Sequence, residues 1–479
     1  MRGWSLQQIR RMITVSRPRL FDVVNPATGI KIAELPDDSP QDVSEKLERL
    51  SGGQKWWNAL PVHERRQTLE RFNDLLRENL NSLAEILSTE MGKPIKQSKN
   101  EIRATVDRVR FYLSHYEKIL EEQTVLETSR LKEKILYEPL GVIANISAWN
   151  YPYFVSANVF AAALITGNSV LYKPSEYASL SGREITRLLH EAGVPKDAFV
   201  LCTGKGETGA GVASLEGLGG IFFTGSFKTG VEIAKAAAPN LVKVQLELGG
   251  KDPVYVRHDV QNVARAAATI ADGAFYNCGQ SCCSVERVYV DKKIYPEFME
   301  NFIKTVKSFK VGDPLDEETY IGPVAREAQV PYLSSQVQDA VRKGANVAMG
   351  GSSESLPSKG FWFPPTVLTD VDHTMNVMRE ESFGPLIGIQ MVDGDAEAIN
   401  FMSDTPYGLT AGVFCKSCND AEAILRELEV GTGYWNCCDR VSPRLPWSGR
   451  KASGIGVTLG LDGLRSFVQP KGFFLQQQW

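Results

Sequence analysis

Apolar residues follow two different periods in the first third of the chain. Between residues 40 and 124 they recur every three or four positions, as within 80–87 and 106–113, and this period predicts amphipathic helices. From 125 to 138 apolar and charged residues alternate instead, which predicts an exposed β ribbon. Because an unpaired strand edge invites another strand, we expect a subunit contact at this ribbon.

Residues 141–246 contain short apolar runs separated by helical patterns. The runs occupy residues 142–146, 169–172, 199–201 and 220–223. Strands that alternate with helices predict a parallel sheet covered on both faces, and such sheets bind ligands at the carboxyl ends of their strands. Polar residues follow three of the runs, in Trp149-Asn150-Tyr151-Pro152, Lys173-Pro174-Ser175-Glu176 and Thr224-Gly225-Ser226.

Two glycine-containing segments of this region have the composition of phosphate-binding turns. Gly225 and Ser226 open a predicted helix whose free N–H groups suit a phosphate, but the same residues equally suit a helix cap without a ligand. Residues 204–209 match G-x-G-x-x-G, yet Glu207 would repel a pyrophosphate. We interpret this second segment as a loop.

From residue 251 onward the pattern predicts a second α/β domain. A predicted helix over 260–275 leads into a loop with three of the chain's eight cysteines, and a predicted strand over 287–290 follows it. Within this loop a Gly-Gln pair favours a turn. We expect chemistry at this turn, with Cys282 as its central candidate.

Glu247 is a second candidate for chemistry. It stands between apolar neighbours just before a Gly-Gly turn. Desolvation raises the pKa of a carboxylate and suits it to act as a general base, and a cysteine with such a base forms a two-step covalent site. The alternative interpretation is that the cysteines are small buried apolar residues and that Glu247 is a charge at a strand end.

The composition restricts the classes of function. The chain has 479 residues, of which 43% are hydrophobic and 23% charged, and its net charge is −4. These values predict an enzyme-sized globular protein of two or three domains. Lysine and arginine form no basic block, so nucleic acid is not an expected partner, and no apolar run approaches the roughly 20 residues of a membrane span.

The cysteine spacing predicts reduced thiols in a cytoplasmic protein, because it shows no disulfide framework. Cys415 and Cys418 form a lone C-x-x-C pair without further ligands, so no metal site is expected. Residues 1–21 contain five arginines and no acidic residue, as mitochondrial transit peptides do. Their low hydroxyl content favours a surface extension instead, with import as the alternative.

Taken together, these loops resemble those of the NAD(P)-dependent aldehyde dehydrogenase superfamily, from Asn25 to about Lys471. The shared motifs are the W-N-Y-P loop at 149–152, L-E-L-G-G-K at 246–251, F-x-N-x-G-Q-x-C at 275–282 and E-x-F-G-P at 381–385. The resemblance implies an α/β fold with two parallel-sheet, Rossmann-like domains and a small β oligomerisation element.

The resemblance also implies domain boundaries. Residues 1–124 and 139–248 would form the cofactor-binding domain, 249–448 the catalytic domain, 125–138 with 464–479 the oligomerisation element, and 449–463 a C-terminal connection. Members of the family form homodimers or homotetramers, so a homo-oligomer is expected here.

Three residues match the catalytic positions of the family. Cys282 matches the nucleophile that adds to the aldehyde, and Asn150 matches the amide that stabilises the oxyanion together with the backbone N–H of Cys282. Glu247 matches the base that activates water to hydrolyse the resulting thioester. The implied reaction transfers a hydride to the nicotinamide and releases a carboxylic acid.

Ten residues match the cofactor contacts of the family: Trp149, Lys173, Ser175, Glu176, Gly225, Ser226, Gly230, Leu248, Glu381 and Phe383. The resemblance places Lys173 and Glu176 at the adenosine ribose, Ser226 at the pyrophosphate, and Glu381 with Phe383 at the nicotinamide riboside. A carboxylate beside the ribose repels a 2′-phosphate, so NAD is expected. NADP is the alternative because Lys173 would tolerate that phosphate.

Four residues match the substrate tunnel: Tyr151, Asn158, Tyr276 and Trp447. The three aromatic residues resemble the tunnel walls of betaine-aldehyde members, but Asn158 stands where those members have Trp and semialdehyde members often have Arg. We expect aromatic, aliphatic or amino-aldehydes to be preferred over succinate semialdehyde. Arg440 or Arg444 would reverse this preference if either bound a carboxylate.

Two positions depart from the family pattern. Ser448 stands at the first glycine of the anchor loop, and Leu461 stands where many members carry a second glutamate. Two further functions remain open, a CoA-acylating dehydrogenase and a non-catalytic relative of the same fold. Retention of Glu247 disfavours the first of these, and retention of Cys282, Glu247 and Asn150 together disfavours the second.

Overall fold

A computed structural model describes residues 19–351 and 356–477 of the chain. Most of the arginine-rich segment for which import or a surface extension was considered, residues 1–18, therefore lies outside the described residues. The C-terminal tail predicted for 464–479 is described as far as residue 477.

The strands in chain order are β1 (Arg19–Asn25), β2 (Ile30–Asp37), β3 (Gln123–Glu127), β4 (Leu131–Pro139), β5 (Val142–Ile146), β6 (Ser169–Lys173), β7 (Phe199–Leu201), β8 (Gly220–Thr224), β9 (Lys243–Glu247), β10 (Asp252–Val256), β11 (Val285–Asp291), β12 (Asn346–Met349), β13 (Thr366–Thr369), β14 (Leu386–Val392), β15 (Tyr407–Gly408), β16 (Thr410–Phe414), β17 (Thr432–Trp435), β18 (Arg450–Lys451), β19 (Gly454–Ile455) and β20 (Val468–Gln476).

The α-helices are α1 (Pro40–Ala59), α2 (Val62–Glu78), α3 (Leu80–Met91), α4 (Ile95–Leu113), α5 (Glu117–Leu120), α6 (Pro152–Ile165), α7 (Ser179–Glu191), α8 (Gly206–Ala213), α9 (Phe227–Ala237), α10 (Val263–Phe275), α11 (Tyr295–Lys307), α12 (Gln329–Arg342), α13 (Asn376–Arg379), α14 (Asp395–Ser403), α15 (Cys418–Arg426) and α16 (Gly460–Arg465). Short 3₁₀ turns cover Glu176–Ala178, Ala238–Asn240 and Tyr276–Gly279.

The first large sheet has the strand order β19-β9-β8-β5-β6-β7. Strands β5 to β9 run parallel, and only the short β19 is antiparallel to its neighbour β9. The strand β5 is buried along its whole length, as expected when helices cover both faces of a parallel sheet. The predicted alternation of strands and helices over 141–246 is thus confirmed.

The second large sheet has the order β12-β13-β14-β11-β10-β16-β17, and all but β12 run parallel. The first sheet ends its strand β9 at Glu247, and the second begins β10 at Asp252. The Gly-Gly turn between these residues therefore joins the two sheets. The α/β fold class with two parallel-sheet domains is confirmed.

A third sheet, β20-β4-β3, contains the predicted ribbon. Its strand β20 pairs antiparallel with β4 over nine positions, from Val468 opposite Pro139 to Gln476 opposite Leu131. Side chains on both outer strands are exposed, including Val125 and Phe474. The C-terminal residues are therefore held by backbone pairing, while an apolar surface stays uncovered in the single chain.

Two predictions of local structure need correction. Residues 204–209 are not all loop, because α8 begins at Gly206, where Thr208 Oγ1 donates hydrogen bonds to Asp37 Oδ1 (2.7 Å) and the carbonyl of Asp38 (3.0 Å). These contacts with the end of β2 fix the first helical turn, and no short-range sequence signal announces them. The helix predicted from residue 260 begins instead at Val263, after the cap residue Asn262.

Candidate active site

The loop that carries Cys282 has an unusual backbone. Asn277 and Cys278 have φ angles of 53° and 58°, in the left-handed region that side chains other than Gly and Asn rarely adopt. At Gly279, a Cβ atom would lie 2.2 Å from the carbonyl oxygen of Gly384, so only glycine fits there. The predicted turn is confirmed, and such strain is a common feature of functional sites.

Asn150 contacts this loop directly. Its side-chain Nδ2 donates to the carbonyl of Gln280 at 3.1 Å, and its own carbonyl accepts from Asn277 Nδ2 at 3.1 Å. The side chain of Asn150 is buried, and its Oδ1 has no partner among the described residues. The structure thus brings the predicted oxyanion donor against the segment two residues before Cys282.

The two adjacent cysteines lie in different surroundings. Cys282 is half-buried, whereas Cys283 is buried and its Sγ donates to Asp439 Oδ1 at 3.1 Å. Ser281 Oγ donates to the same carboxylate oxygen at 2.9 Å. A hydrogen bond with Cys282 and burial hold the pKa of the Cys283 thiol well above its usual range. Cys282 is therefore the accessible thiol of the pair.

Glu247 ends β9 in a buried position. Its Oε1 accepts hydrogen bonds from Gln245 Nε2 (2.9 Å) and from the hydroxyl of Thr458. Burial raises the pKa of Glu247 to about 7, although these hydrogen bonds oppose the shift. A carboxylate with this pKa can take a proton from water near neutral pH.

The turn after Glu247 packs against the cysteine loop. A Cβ atom on Gly250 would lie 2.6 Å from the carbonyl oxygen of Cys282. Gly249 is equally close to another site residue, because its Cβ would lie 2.4 Å from Glu381 Oε2. Both glycines therefore allow three predicted site segments to meet at one place.

Glu381 is short of hydrogen-bond donors. Among the described residues, the backbone N–H of Gly250 donates to its Oε1 at 3.1 Å. Burial, and repulsion from Glu286, raise the pKa of Glu381 to about 8. A carboxylate with acceptor capacity to spare fits ribose hydroxyls, which donate hydrogen bonds, and this agrees with its predicted role in cofactor binding.

Phe383 and Trp149 lie together beside Glu381. Their ring centroids are 5.4 Å apart in an edge-to-face arrangement, and the Arg326 guanidinium lies 5.5 Å from the Trp149 ring centroid. Phe383 has a φ of 49°, and its N–H donates to Glu286 Oε1 at 2.9 Å. Glu286 thus holds this strained backbone, with Ser382 N–H bound to its other oxygen at 2.8 Å.

The predicted adenosine contacts lie at and just after the carboxyl end of β6. Lys173 is buried, and its Nζ donates to the carbonyl of Pro174 at 3.3 Å. Ser175 caps the 3₁₀ turn that begins at Glu176, and both residues are half-buried. Burial lowers the pKa of Lys173, and the nearby Glu176 opposes that shift by charge attraction.

The predicted phosphate contact opens α9. Ser226 is the exposed N-cap of this helix and accepts a hydrogen bond from Thr229 N–H at 3.4 Å. A Cβ atom on Gly230 would lie 2.6 Å from Leu248 Cδ2, so the helix packs closely on the strand-end residue. Gly225 N–H donates to the carbonyl of Glu247 at 3.0 Å, which ties this helix start to the catalytic candidate.

The substrate candidates lie on three segments. Tyr151 and Asn158 are buried on or beside α6, where the Tyr151 ring stacks on Phe154 with centroids 4.6 Å apart. Tyr276 Oη accepts from Asn100 Nδ2 at 3.4 Å, and the buried Trp447 forms an isolated antiparallel β-bridge with Thr458. Arg440 and Arg444, the two arginines considered as carboxylate ligands for the substrate, are both exposed.

Several residues that support the site were missed from the sequence. Lys93 Nζ donates to the carbonyl of Asn150 at 2.7 Å and pairs with Glu101, and both charged side chains are fully buried. Lys251 pairs with Glu286 at 2.6 Å in the same way. Lys251 lay within a recognised motif, but no local signal distinguishes Lys93, Glu101 or Glu286 from ordinary surface charges.

The described residues contain neither a metal-binding cluster nor a helix that could span a membrane. They contain no group of three or more His, Cys, Asp or Glu residues placed to hold a metal ion. Cys415 is buried and its Sγ donates to the carbonyl of Ser417 at 3.1 Å, whereas Cys418 is exposed. Within the same residues, no helix has the length and apolar content to cross a membrane.

The chain is similar to known proteins along most of its length. A family model described as "Aldehyde dehydrogenase family" matches residues 13–473. A lactaldehyde dehydrogenase from Escherichia coli is 33% identical over 460 residues, with 95% of each chain covered. The structure of a 3,6-anhydro-L-galactose dehydrogenase in complex with NAP has a TM-score of 0.93 and 33% identity, covering 96% of this chain and 97% of that one. PnpE in complex with nicotinamide adenine dinucleotide has a TM-score of 0.93 and 31% identity, with 96% and 94% covered.

Proposed function

The chain belongs to the aldehyde dehydrogenase family and is an NAD(P)-dependent oxidoreductase, and we propose that it oxidises its aldehyde through a covalent bond to Cys282. One observation carries this proposal. The backbone of Cys282 packs against Gly250, three residues after the buried Glu247, while the amide of Asn150 binds the same loop at Gln280. Nucleophile, base and amide donor thus belong to segments in mutual contact.

In the first half of the proposed reaction, the Cys282 thiolate adds to the aldehyde carbon and gives a tetrahedral thiohemiacetal. Asn150 Nδ2 and the backbone N–H of Cys282 stabilise its oxyanion. A nicotinamide cofactor held at this site would supply the hydride acceptor that is needed for the adduct to become a thioester. Trp149, Glu381 and Phe383 would hold the nicotinamide riboside, because they lie together beside the Gly-Gly turn.

In the second half, Glu247 takes a proton from water, and the resulting hydroxide attacks the thioester carbon. The carboxylic acid leaves and Cys282 is released as a thiolate. The raised pKa of Glu247, about 7, suits this proton transfer because the group is both available as a base and able to give the proton back. Retention of Glu247 supports water rather than CoA as the acceptor.

For the cofactor we propose NAD in preference to NADP. Glu176 begins the 3₁₀ turn directly after Ser175, at the carboxyl end of β6, where it would accept hydrogen bonds from ribose hydroxyls. The buried Lys173 lies nearby, since a Cβ on Gly209 would be 3.4 Å from its Cε. The negative charge of Glu176 disfavours the 2′-phosphate of NADP, whereas the positive charge of Lys173 tolerates it. We therefore expect NAD to be preferred without strict exclusion of NADP.

We propose a homo-oligomer that forms through the third sheet. Strands β3 and β20 leave Val125, Leu126, Phe474 and Leu475 exposed, with relative exposures between 42% and 64%. A cluster of exposed apolar residues along strand edges is typical of an interface between subunits.

The eight free cysteines support a cytoplasmic location, with mitochondrial import as the alternative.

A steady-state assay tests the proposed reaction. The purified protein is incubated with NAD or NADP and a panel of aldehydes: betaine aldehyde, benzaldehyde, hexanal, a short aminoaldehyde and succinate semialdehyde. We expect NADH to appear with an equal amount of free acid, without CoA. Turnover that requires CoA would favour the acylating alternative, and no turnover with any of the five would favour a non-catalytic relative.

A further inference from the structure

Three arginines are buried in the described part of the chain, and two of them donate to three or more backbone carbonyls each. Arg65 donates to the carbonyls of Leu60, Asn58, Trp57 and Ile165 at 2.7 to 3.4 Å. Arg287 donates to the carbonyls of Lys251, Phe401 and Met402 at 2.8 to 3.1 Å. Backbone oxygens therefore compensate the burial of both charges, as structural arginines require.

Arg108 on α4 is different. It is 4% exposed, yet it donates one hydrogen bond, from Nη1 to the carbonyl of Ala104 at 3.3 Å. Its Nε is buried without a partner among the described residues. No carboxylate of those residues lies within ion-pair distance, since Glu101 is committed to Lys93 and Asp107 to Arg110. A buried, unpaired guanidinium is costly unless a ligand supplies the missing negative charge.

The guanidinium faces the side of the site where the substrate candidates lie. Its central carbon is 4.0 Å from the centroid of the half-buried Phe154 ring, which stacks on Tyr151. Tyr151 directly follows Asn150, the proposed oxyanion donor. Arg108 therefore packs on an aromatic ring that stacks on the residue next to the proposed oxyanion donor.

Asn158 lies on α6, at the contact of this helix with α4. Tyr112, one turn after Arg108, donates its hydroxyl hydrogen bond to the carbonyl of Asn158 at 3.0 Å, and Asn158 itself lies one turn after Phe154. The side-chain Oδ1 of Asn158 is also buried without a partner. Two facing helices therefore present a guanidinium without an ion-pair partner and a buried amide oxygen without a hydrogen-bond partner next to aromatic rings.

We propose that Arg108 binds a carboxylate of the substrate, so that the preferred aldehydes are aldehyde acids such as succinate semialdehyde. This inference rests on the proposed function, since the bound molecule is the aldehyde that Cys282 attacks. The free donors of the guanidinium would bind the carboxylate, Asn158 would donate to it through Nδ2, and the Tyr151 and Phe154 rings would cover the methylene groups.

This proposal reverses the substrate preference expected from the sequence. That expectation rested on the aromatic residues Tyr151, Tyr276 and Trp447 and on Asn158, which stands where semialdehyde members often have an arginine. The structure places Arg108, from a different helix, against the Phe154 ring, one helical turn before Asn158. Burial lowers the pKa of Arg108 to about 10, so the guanidinium remains charged at neutral pH.

The test compares two aldehydes of similar length, succinate semialdehyde and pentanal, in the wild type and in Arg108→Met. Wild type is expected to have the higher kcat/KM for succinate semialdehyde. The substitution should lower that value about 10- to 100-fold, as loss of a charge-assisted hydrogen bond does, and leave pentanal within about threefold. Arg108→Lys should retain part of the preference. Arg110→Met, an exposed arginine of the same helix, serves as the matched control and should change neither value.

Calorimetric binding of succinate to the enzyme with NADH gives a readout independent of turnover. The dissociation constant should rise at least about tenfold in Arg108→Met. Equal losses for both aldehydes, or unchanged succinate binding, would overturn the inference even if aldehyde oxidation is confirmed. Arg108-dependent succinate binding without turnover of any aldehyde would support the carboxylate site and reject the proposed reaction instead.

Discussion

The ammonium of Lys93 donates a hydrogen bond of 2.7 Å to the backbone carbonyl of Asn150. The same ammonium pairs with Glu101 and lies 3.7 Å from the centroid of the Tyr151 ring. Glu101 in turn accepts from the N–H of Tyr153 at 2.8 Å through its other oxygen. A fully buried ion pair therefore fixes the backbone on both sides of Tyr151, and Lys93 is a positioning residue for the oxyanion donor.

We expect Lys93→Met to lower kcat about 100-fold, because a displaced Asn150 would stabilise the oxyanion poorly. The single variant should also lose about 3 to 5 kcal/mol of stability, since Glu101 would be left as an unpaired buried charge. The double variant Lys93→Met, Glu101→Gln removes both charges and should recover much of the stability while kcat stays low. Recovery of wild-type kcat in the double variant would show that Lys93 serves the fold alone.

Cys282→Ala should abolish dehydrogenase turnover while the dissociation constant for NAD changes by no more than about twofold, because the thiol forms the covalent adduct and does not hold the cofactor. Cys283→Ala is the matched control on the neighbouring residue. It should keep most of the activity, since Ser281 still donates to Asp439. An inactive Cys283 variant together with an active Cys282 variant would show that Cys283, not Cys282, is the nucleophile.

Glu247→Gln should release one equivalent of NADH per active site in a burst and then stall, because the thioester is no longer hydrolysed. Rapid-mixing measurements of NADH formation distinguish this burst from a uniformly slow reaction. In the wild type, the deacylation rate should rise with pH through about 7, as Glu247 loses its proton, and then level off. Steady-state turnover at the wild-type rate in Glu247→Gln would remove this carboxylate from the mechanism.

The raised pKa of Glu247 also predicts a pH-dependent change in stability. The folded protein holds this proton up to pH about 7, whereas the unfolded chain releases it near the usual value of 4.5. Ionisation of Glu247 therefore costs stability as the pH rises from about 4.5 to 7. The neutral Glu247→Gln should have a higher Tm relative to wild type at pH 8 than at pH 5. An equal Tm difference at both pH values would contradict a strongly raised pKa.

Glu286→Gln should raise KM for NAD by about tenfold, because Glu286 accepts from the N–H groups of Ser382 and Phe383 and so orients the Glu381 segment. The variant also leaves Lys251 unpaired, so the comparison should include Glu286→Gln with Lys251→Met. Glu380→Gln is a suitable control because Glu380 is exposed and one residue away from the same segment. Unchanged KM for NAD in both Glu286 variants would show that the loop is held by other contacts.

Phe474→Asp, with 64% of the side chain exposed in the single chain, should shift the protein toward smaller species in sedimentation experiments. A charge introduced into a buried subunit contact is costly because it lacks a partner there. The substitution Gln469→Asp on the same strand provides a control at an exposed polar position. If both variants kept the wild-type mass, the third sheet would not be the subunit interface.

The sequence determined the α/β class, the helices within 40–124, of which the last ends at Leu120, the parallel sheet over 141–246 and the exposed ribbon. These features depend on periodic apolar patterns within single segments, which a chain carries whatever its partners are. The motif residues, including Cys282 and Glu247, could be found for the same reason, since each stands in a short run with characteristic neighbours. The start of α8 at Gly206 could not, because contacts with the distant Asp37 and Asp38 fix its first turn.

Only the tertiary structure decided which charges serve the site. Lys93 and Glu101 lie eight residues apart on polar stretches that look solvated, yet both side chains are fully buried against the Asn150 backbone. Arg108 is one of several arginines on α4, and only the packing of α4 on α6 leaves its guanidinium unpaired beside Phe154. Burial and pairing of a charge depend on residues far away in sequence, so no local pattern predicts them.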